Sequence, residues 1–301
     1  MASLQEIKSH INSIRDTKKV TGAMYMISSI KMRRAMREVD RTKPYFKALK
    51  AEIGHVFRCI PEMKNPYFMH RVHRDGTPSR CGLLIVTADR GLAGSYNHDV
   101  ITMTEAFLAR HPQTMLFVVG EYGRQYFLRK KVPICEDFHY SSEKPTVWMA
   151  QCICTEILEY FRSKTLDEVH IIYTDYKSGM TSECKINCLL PLDISRFSGE
   201  NREEGANEAF EFYPDPDTVL NNIVPSYLTG FIYSSLTDSF CSEQHARMSA
   251  MDSAGRNADE MLRELSIQYN SVRQAAITRE ITEISSGARA LKQHRANNRK
   301  T

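Results

Sequence analysis

The chain has 301 residues, 42% hydrophobic and 25% charged, a usage typical of water-soluble globular proteins, with a net charge of +4. No run of eighteen or more apolar residues occurs, so no segment is expected to span a bilayer, and the start MASLQEIKSHINSIRDTKKV lacks the apolar stretch of a secretory signal, so a cytosolic-side protein is expected. The charge is uneven: residues 1–50 hold twelve Lys/Arg against four Asp/Glu, a balance of +8 that suits an anionic neighbour such as nucleic acid, a membrane surface or an acidic protein surface.

From about residue 3 to 57 the pattern predicts one long helix. Leu4, Ile7, Ile11 and Ile14 open it at coiled-coil spacing, and the seam continues through Lys18, Thr21, Tyr25, Ser28, Met32, Ala35, Val39, Phe46, Leu49, Ile53 and Val56. Ser3 and Glu6 have the spacing of a capping box. Pro44 is expected to kink this helix or to mark a second one starting near Lys43. Residues 58–79, with Pro61, Pro66, Gly76 and Pro78, read as a connecting loop.

Residues 80–213 read as a Rossmann-like α/β domain. CGLLIVTA (81–88), TMLFVVG (114–120) and EVHIIYT (168–174) are short apolar runs of the kind that fill a parallel sheet buried on both faces. Helical patterns at about 98–111, 121–131 and 145–164 separate them, and CKINCLLP (184–191) adds an antiparallel strand beyond a turn at Gly179. SRFSGENREEGANEAFE (195–211) reads as a polar loop.

From Asp217 to Leu291 a second long helix is predicted within the segment 214–301. Met251, Ala254, Ala258, Met261, Leu265, Gln268, Val272 and Ala275 form its apolar seam, followed by a distinct stripe at Ile277, Ile281, Ile284, Ala288 and Leu291. Such a helix is too long to be buried along a domain of this size. Its obvious partner is the N-terminal helix, and the last stripe needs a cover from outside the chain. The fold class expected is therefore α/β, with a long antiparallel coiled coil of the N- and C-terminal helices and an inserted Rossmann-like domain.

No chemical centre stands out. TADRGLAGSYN (87–97) follows a strand and precedes a helix, where α/β proteins often hold phosphate. Gly91 and Gly94 match neither GxGxxG nor a P-loop, and an Asp89–Arg90 ion pair with a glycine-permitted bend explains the loop structurally. His10, His55, His70, His73 and His98 are scattered, and neither HExxH nor GxSxG occurs. The cysteines at 59, 81, 135, 152, 154, 184, 188 and 241 form no CxxC pair and read as small buried thiols in a reducing compartment. No catalytic, cofactor-binding or metal-ligating residue is assigned. KMRRAMR (31–37) lacks interleaved aromatics, so a protein surface suits it better than nucleic acid.

The segments IRDTKKVTGAMYMISSIKMRRA, ADRGLAGSYN and SEQHARMSAMDSAGRNA…QAAITREITEISSGARAL together resemble the gamma subunit of F-type (rotary) ATP synthases, over nearly the full chain and in the family's order. The resemblance implies a non-catalytic rotor shaft that couples proton-driven c-ring rotation to conformational change at alpha/beta catalytic sites. It implies as partners the alpha and beta subunits of a hexamer, the epsilon subunit and the membrane c-ring, with no nucleic acid. It implies a peripheral location on the cytoplasmic face of a bacterial plasma membrane. Carried over position by position, Met24, Arg33, Arg34, Arg247, Gln274, Thr278 and Glu280 are expected to contact beta. Ile277, Ile281, Ile284, Ala288 and Leu291 are expected to form the tip inside an alpha/beta sleeve. The sequence departs from the family at Gly22 (TGAM for TKAM), at FYPD (212–215) for YEPD, and at Ala93, where a cysteine is usual. The alternative function is an α/β nucleotide-binding protein with coiled-coil arms.

Overall fold

The computed structural model describes residues 4–60, 65–69, 79–177, 181–197, 212–213 and 215–297, with the side chains of 181, 196 and 290–297 outside the description. The Gly179 turn and most of the 195–211 loop lie outside the described residues, as does the end of the tail. In chain order the elements are α1 (Leu4–Cys59), β1 (Cys81–Val86), α2 (Tyr96–Arg110), β2 (Met115–Val119), α3 (Glu121–Arg129), α4 (Val147–Arg162), β3 (Glu168–Lys177), β4 (Thr181–Leu190), a 3-10 turn (Ile194–Phe197) and α5 (Pro216–Asn297). They form two compact units, one of Met1–Ile27 with Ser249–Thr301 and one of Ser28–Met248.

In the larger unit the strand order is β2-β1-β3-β4, with β1 parallel to both β2 and β3, and β4 antiparallel to β3. The near-continuous apolar character of β1 and β2 has a simple cause: both sheet faces are covered. Because successive strand residues alternate in direction, Leu84, Val86, Phe117 and Val119 pack with Ile153, Ile157 and Phe161 of α4, Leu220, Val224, Leu228, Ile232 and Leu236 of α5, and Ile53 and Val56 of α1. Leu83, Ile85, Leu116 and Val118 pack on the opposite face with Val100, Ile101 and Phe107 of α2 and Phe127 of α3. Each fully buried side chain of this kind stabilises by about 1.5–3 kcal/mol.

Helix starts are set locally. Thr146 caps α4 by accepting a hydrogen bond from the Met149 amide at 3.1 Å. Asp215 caps α5, accepting from the Thr218 amide at 2.9 Å and the Thr218 hydroxyl at 2.7 Å, which also holds its carboxyl below the usual range. Pro216 takes the first helical position, where a missing N–H costs nothing.

The expectation of a kink or second helix at Pro44 is corrected: α1 is one helix through it. The ring removes the bond to the Asp40 carbonyl, a loss offset by packing on both sides, where Val39, Phe46, Leu49 and Ile53 turn to the unit's interior. In this unit α1 and α5 run antiparallel, since Phe46 meets Gly230 and Tyr233, Lys43 lies near Asp238 and Lys31 near Glu243.

The smaller unit consists of the two helix segments. Ile7, Ile11, Ile14 and Thr21 of α1 are buried in it, as are Met251 and Ala258 of α5, and Lys18 reaches Asp259 at 2.5 Å. The α5 seam differs from expectation in one row. Beyond Asp259 the half-buried residues are Leu262, Leu265, Tyr269, Val272 and Ala276, whereas Met261, Gln268 and Ala275 are exposed. Adjacent Met261 and Leu262 offer either row to a partner, and the position of α1 selects Leu262. On α1, Tyr25 is likewise 40% exposed, and Met24 is half-buried beside it.

Candidate functional site

In a doubly wound sheet ligands bind beyond the carboxyl ends of the strands, where successive connections diverge. Here that point lies between β1 and β3, and α5 fills it. The Ser239 hydroxyl oxygen accepts from the Thr174 amide at 3.0 Å, and Ser242 donates to the Thr174 carbonyl at 3.4 Å. Tyr96 donates to the Val86 carbonyl at 3.1 Å, its phenol held neutral by burial. Sequence reasoning missed these serines, because nothing in a helical pattern announces a contact with a strand end.

The 87–97 loop is locked from within. Asp89 and Arg90 do not pair with each other, contrary to expectation. Asp89 accepts from the Glu121 amide (3.0 Å), the Ser141 hydroxyl (2.6 Å) and the Ser142 amide (3.0 Å), so it caps α3 and ties down the segment before α4. Arg90 turns instead to Glu143 at 3.4 Å. The bend uses left-handed backbone at Leu92 (φ 64°) and Gly94 (φ 56°), while Gly91 has open space around it. Asn97 accepts from the Ala88 amide at 2.9 Å, and Ala93 packs buried with Ala88 and Tyr96.

Arg247 completes this arrangement. Its guanidinium pairs with Glu243 at 2.6 Å, with side chains 11% and 6% exposed, and donates to the carbonyls of Arg90 (3.4 Å) and Gly91 (3.2 Å). Burial pushes the Glu243 carboxyl up in pKa, and Arg247 opposes that shift. The visible work of Arg247 is thus to clamp the loop to α5. The carbonyls of the glycine-bearing turn are thus engaged by a side chain of α5.

Most of the other predicted positions stand outward. Arg33 is exposed and donates to the Ser29 hydroxyl at 3.0 Å. Arg34 is exposed and lines a hollow of about 560 Å³ with Lys31, Glu38, Glu143 and Lys144. Met24 is half-buried in the smaller unit. Gln274, Thr278 and Glu280 are exposed, Thr278 donating only to the Gln274 carbonyl at 2.9 Å. Ile277, Ile281 and Ile284 are 44%, 62% and 73% exposed, and Ala288 is exposed, so the described part of this chain provides no cover for them. The Leu291 side chain lies outside the described residues. All eight cysteines are free: three are buried, four half-buried, and Cys59 is exposed, fewer buried than the pattern suggested. No described helix is long and apolar enough to cross a membrane.

The chain matches the ATP synthase family model over residues 3–291. The ATP synthase gamma chain of Acetivibrio thermocellus is 37% identical over 297 residues, covering 97% of this chain and 100% of that protein. The sodium-ion-specific ATP synthase gamma chain of Acetobacterium woodii is 32% identical over 303 residues, covering 96% and 99%. Among solved structures, the rotor of the Euglena gracilis mitochondrial ATP synthase superposes with a TM-score of 0.61 at 14% identity, covering 91% of this chain and 98% of that one. A chain of the Tetrahymena thermophila mitochondrial ATP synthase central stalk and c-ring gives 0.57 at 21% identity, covering 78% and 99%. At these identities the two structures speak to the fold.

Proposed function

The chain belongs to the ATP synthase gamma-chain family, and from that premise we propose that it is the central rotor shaft of an F-type ATP synthase, coupling proton-driven c-ring rotation to conformational change at alpha/beta catalytic sites. Its helix pair acts as an antiparallel coiled coil and its sheet unit as a Rossmann-like foot. The partners are the alpha and beta subunits, the epsilon subunit and the c-ring, and the complex holds the chain peripherally on the cytoplasmic face of the membrane. The chain itself holds no substrate.

The observation that carries this reading is the stripe Ile277, Ile281 and Ile284, largely exposed near the end of α5. Three uncovered isoleucines are an aggregation liability unless another surface encloses them. A sleeve of alpha and beta subunits provides that surface. Gln274, Thr278 and Glu280 interleave with the stripe and supply the polar contacts to beta, and Arg33 and Arg34 meet acidic loops. Met24 contacts beta from α1. An asymmetric shaft acts on three beta subunits only through contact free energies that differ between their states.

Reconstitution tests this. The purified chain is expected to hydrolyse no ATP alone. Added to alpha and beta subunits, it is expected to confer unidirectional rotation, observed with a probe attached to the sheet unit. A variant with Ile277, Ile281 and Ile284 all changed to Ser is expected to fold with an unaltered unfolding midpoint and to lose torque. ATP turnover by the chain alone, or full torque in the triple variant, refutes the proposal or its tip.

A further inference from the structure

We propose that Cys81, Glu168 and His170 form a binding site for one borderline-soft divalent cation of the zinc type. The residues are remote in sequence and are brought together by strand pairing. Cys81 is in register with Glu168 across the parallel β1–β3 pair, and His170, two residues along β3, points to the same face. Their candidate ligand atoms all lie within 4.8 Å of one another, and His170 Nε2 is 3.3 Å from the Glu168 carboxylate. Zinc bonds of about 2.0–2.3 Å place tetrahedral ligands about 3.5 Å apart. One pair already meets that spacing, and the remaining distances exceed it by no more than about 1.3 Å.

The donor set is selective. One thiolate, one imidazole and one carboxylate suit zinc, cobalt or a similar ion, and the sulfur disfavours magnesium and calcium. Access is also suited to an ion. Cys81 is 2% exposed and forms the floor, while the His170 and Glu168 side chains, 19% and 29% exposed, form the rim. Three protein ligands leave a fourth position for water on that side. Phe107 of α2 packs beside the His170 ring at 5.2 Å between centroids, and His111 stacks on Phe107 at 4.4 Å, which fixes the imidazole plane.

Without an ion, the one hydrogen-bond contact of Cys81 among the described residues is a long one to the Ser79 carbonyl at 3.5 Å, and its sulfur lies at the edge of the apolar cluster on this sheet face, within 4.8 Å of a carboxylate oxygen and an imidazole nitrogen. On binding, the Cys81 thiol gives its proton to solvent and the sulfur bonds the ion. The ion then ties the first residue of β1 to the start of β3, at the opposite end of β3 from the hydrogen bonds that Ser239 and Ser242 make to Thr174.

The test uses the full-length chain, stripped with a chelator and titrated with cobalt(II) alone. One ion per chain is expected, with a thiolate-to-cobalt charge-transfer band in the near ultraviolet and a raised unfolding temperature. Cys81→Ser is expected to abolish the band and His170→Gln to weaken binding at least about tenfold, with far-ultraviolet circular dichroism unchanged. The absence of stoichiometric binding, or an undiminished band in Cys81→Ser, which would point to one of the other seven cysteines, overturns the proposal. Should Cys81→Ser fail to fold, unchanged cobalt affinity in both His170→Gln and Glu168→Gln overturns it equally.

Discussion

The ring of Phe46 on α1 occupies the space that a β-carbon on Gly230 of α5 would need, so the two helices approach there as closely as backbone and ring allow. The same ring lies 6.5 Å from that of Tyr233. Gly230 is therefore a packing residue, and its low helix propensity is the cost of that approach. Gly230→Ala is expected to push Phe46 from its place and to destabilise the chain by about 1–3 kcal/mol. Denaturant unfolding of both proteins checks this; a stabilised variant would mean that the ring yields freely.

Gly22 makes the opposite case. It sits inside α1 with nothing within 4 Å of where a β-carbon would stand. Gly22→Ala is expected to stabilise by about 0.5–1 kcal/mol through helix propensity alone. A rise in the unfolding midpoint with unchanged denaturant dependence is the result to look for.

Arg247→Ala leaves the buried Glu243 without its cation, with the Gln244 amide at 3.1 Å still donating to it. Breaking a buried pair from one side costs about 3–5 kcal/mol. The carboxyl, already raised by burial, rises further without Arg247, so the folded variant holds a proton over a wider pH range than the unfolded chain does. Its stability is then expected to fall more steeply than that of the parent as pH climbs above 4.5, the ordinary value. Adding Glu243→Gln to Arg247→Ala is expected to remove the extra slope, and a persistent slope would assign it elsewhere.

Asp238 lies at the hollow between α1 and α5 in the larger unit, faced by Asp175 and Ser234 and more distantly by Lys43 and Lys185. Burial first, and then Asp175, push its carboxyl from 3.8 up to about 7. Because this acid is raised in the folded state, the unfolded chain releases its proton first. Between those two values the folded state binds more protons, so stability declines as pH rises, and the full penalty is present above about 7. Its upper bound is about 4 kcal/mol. Asp238→Asn is expected to flatten the decline, so that its advantage over the parent is larger at pH 8 than at pH 4. Equal pH profiles would refute the assignment.

Much of the architecture was legible because it follows from local period. Leu83 to Val86 and Leu116 to Val119 read as strands covered on both sides, and they are, because alternation and continuous hydrophobicity can only be satisfied together between two layers of helix. The N-terminal seam from Ile7 to Ile14 was equally plain. Less legible was which of two adjacent apolar residues turns inward. Met261 and Leu262 are both acceptable to a helix, and only the second faces the partner in the smaller unit.

The candidate sites divide in the same way. The outward stripe Ile277, Ile281 and Ile284 was found from spacing, since exposure of an apolar face on a terminal helix depends on what the chain lacks. For Asp89 the adjacent Arg90 is the partner that sequence suggests, yet the Glu121 amide, 32 residues on, reaches it and Arg90 does not. The Cys81, Glu168 and His170 cluster could not be seen at all, as no spacing rule connects residue 81 to residues 168 and 170.

By itself, then, the sequence determined the helices, the strands, the family and the uncovered apolar end, because periodicity and propensity act between near neighbours along the chain. Tertiary structure alone decided that α1 continues through Pro44, that Arg247 clamps the 87–97 loop, that Phe46 closes on Gly230 and that β1 and β3 meet in register. Those outcomes depend on distances between residues far apart in the chain, which are fixed by packing that no local pattern encodes.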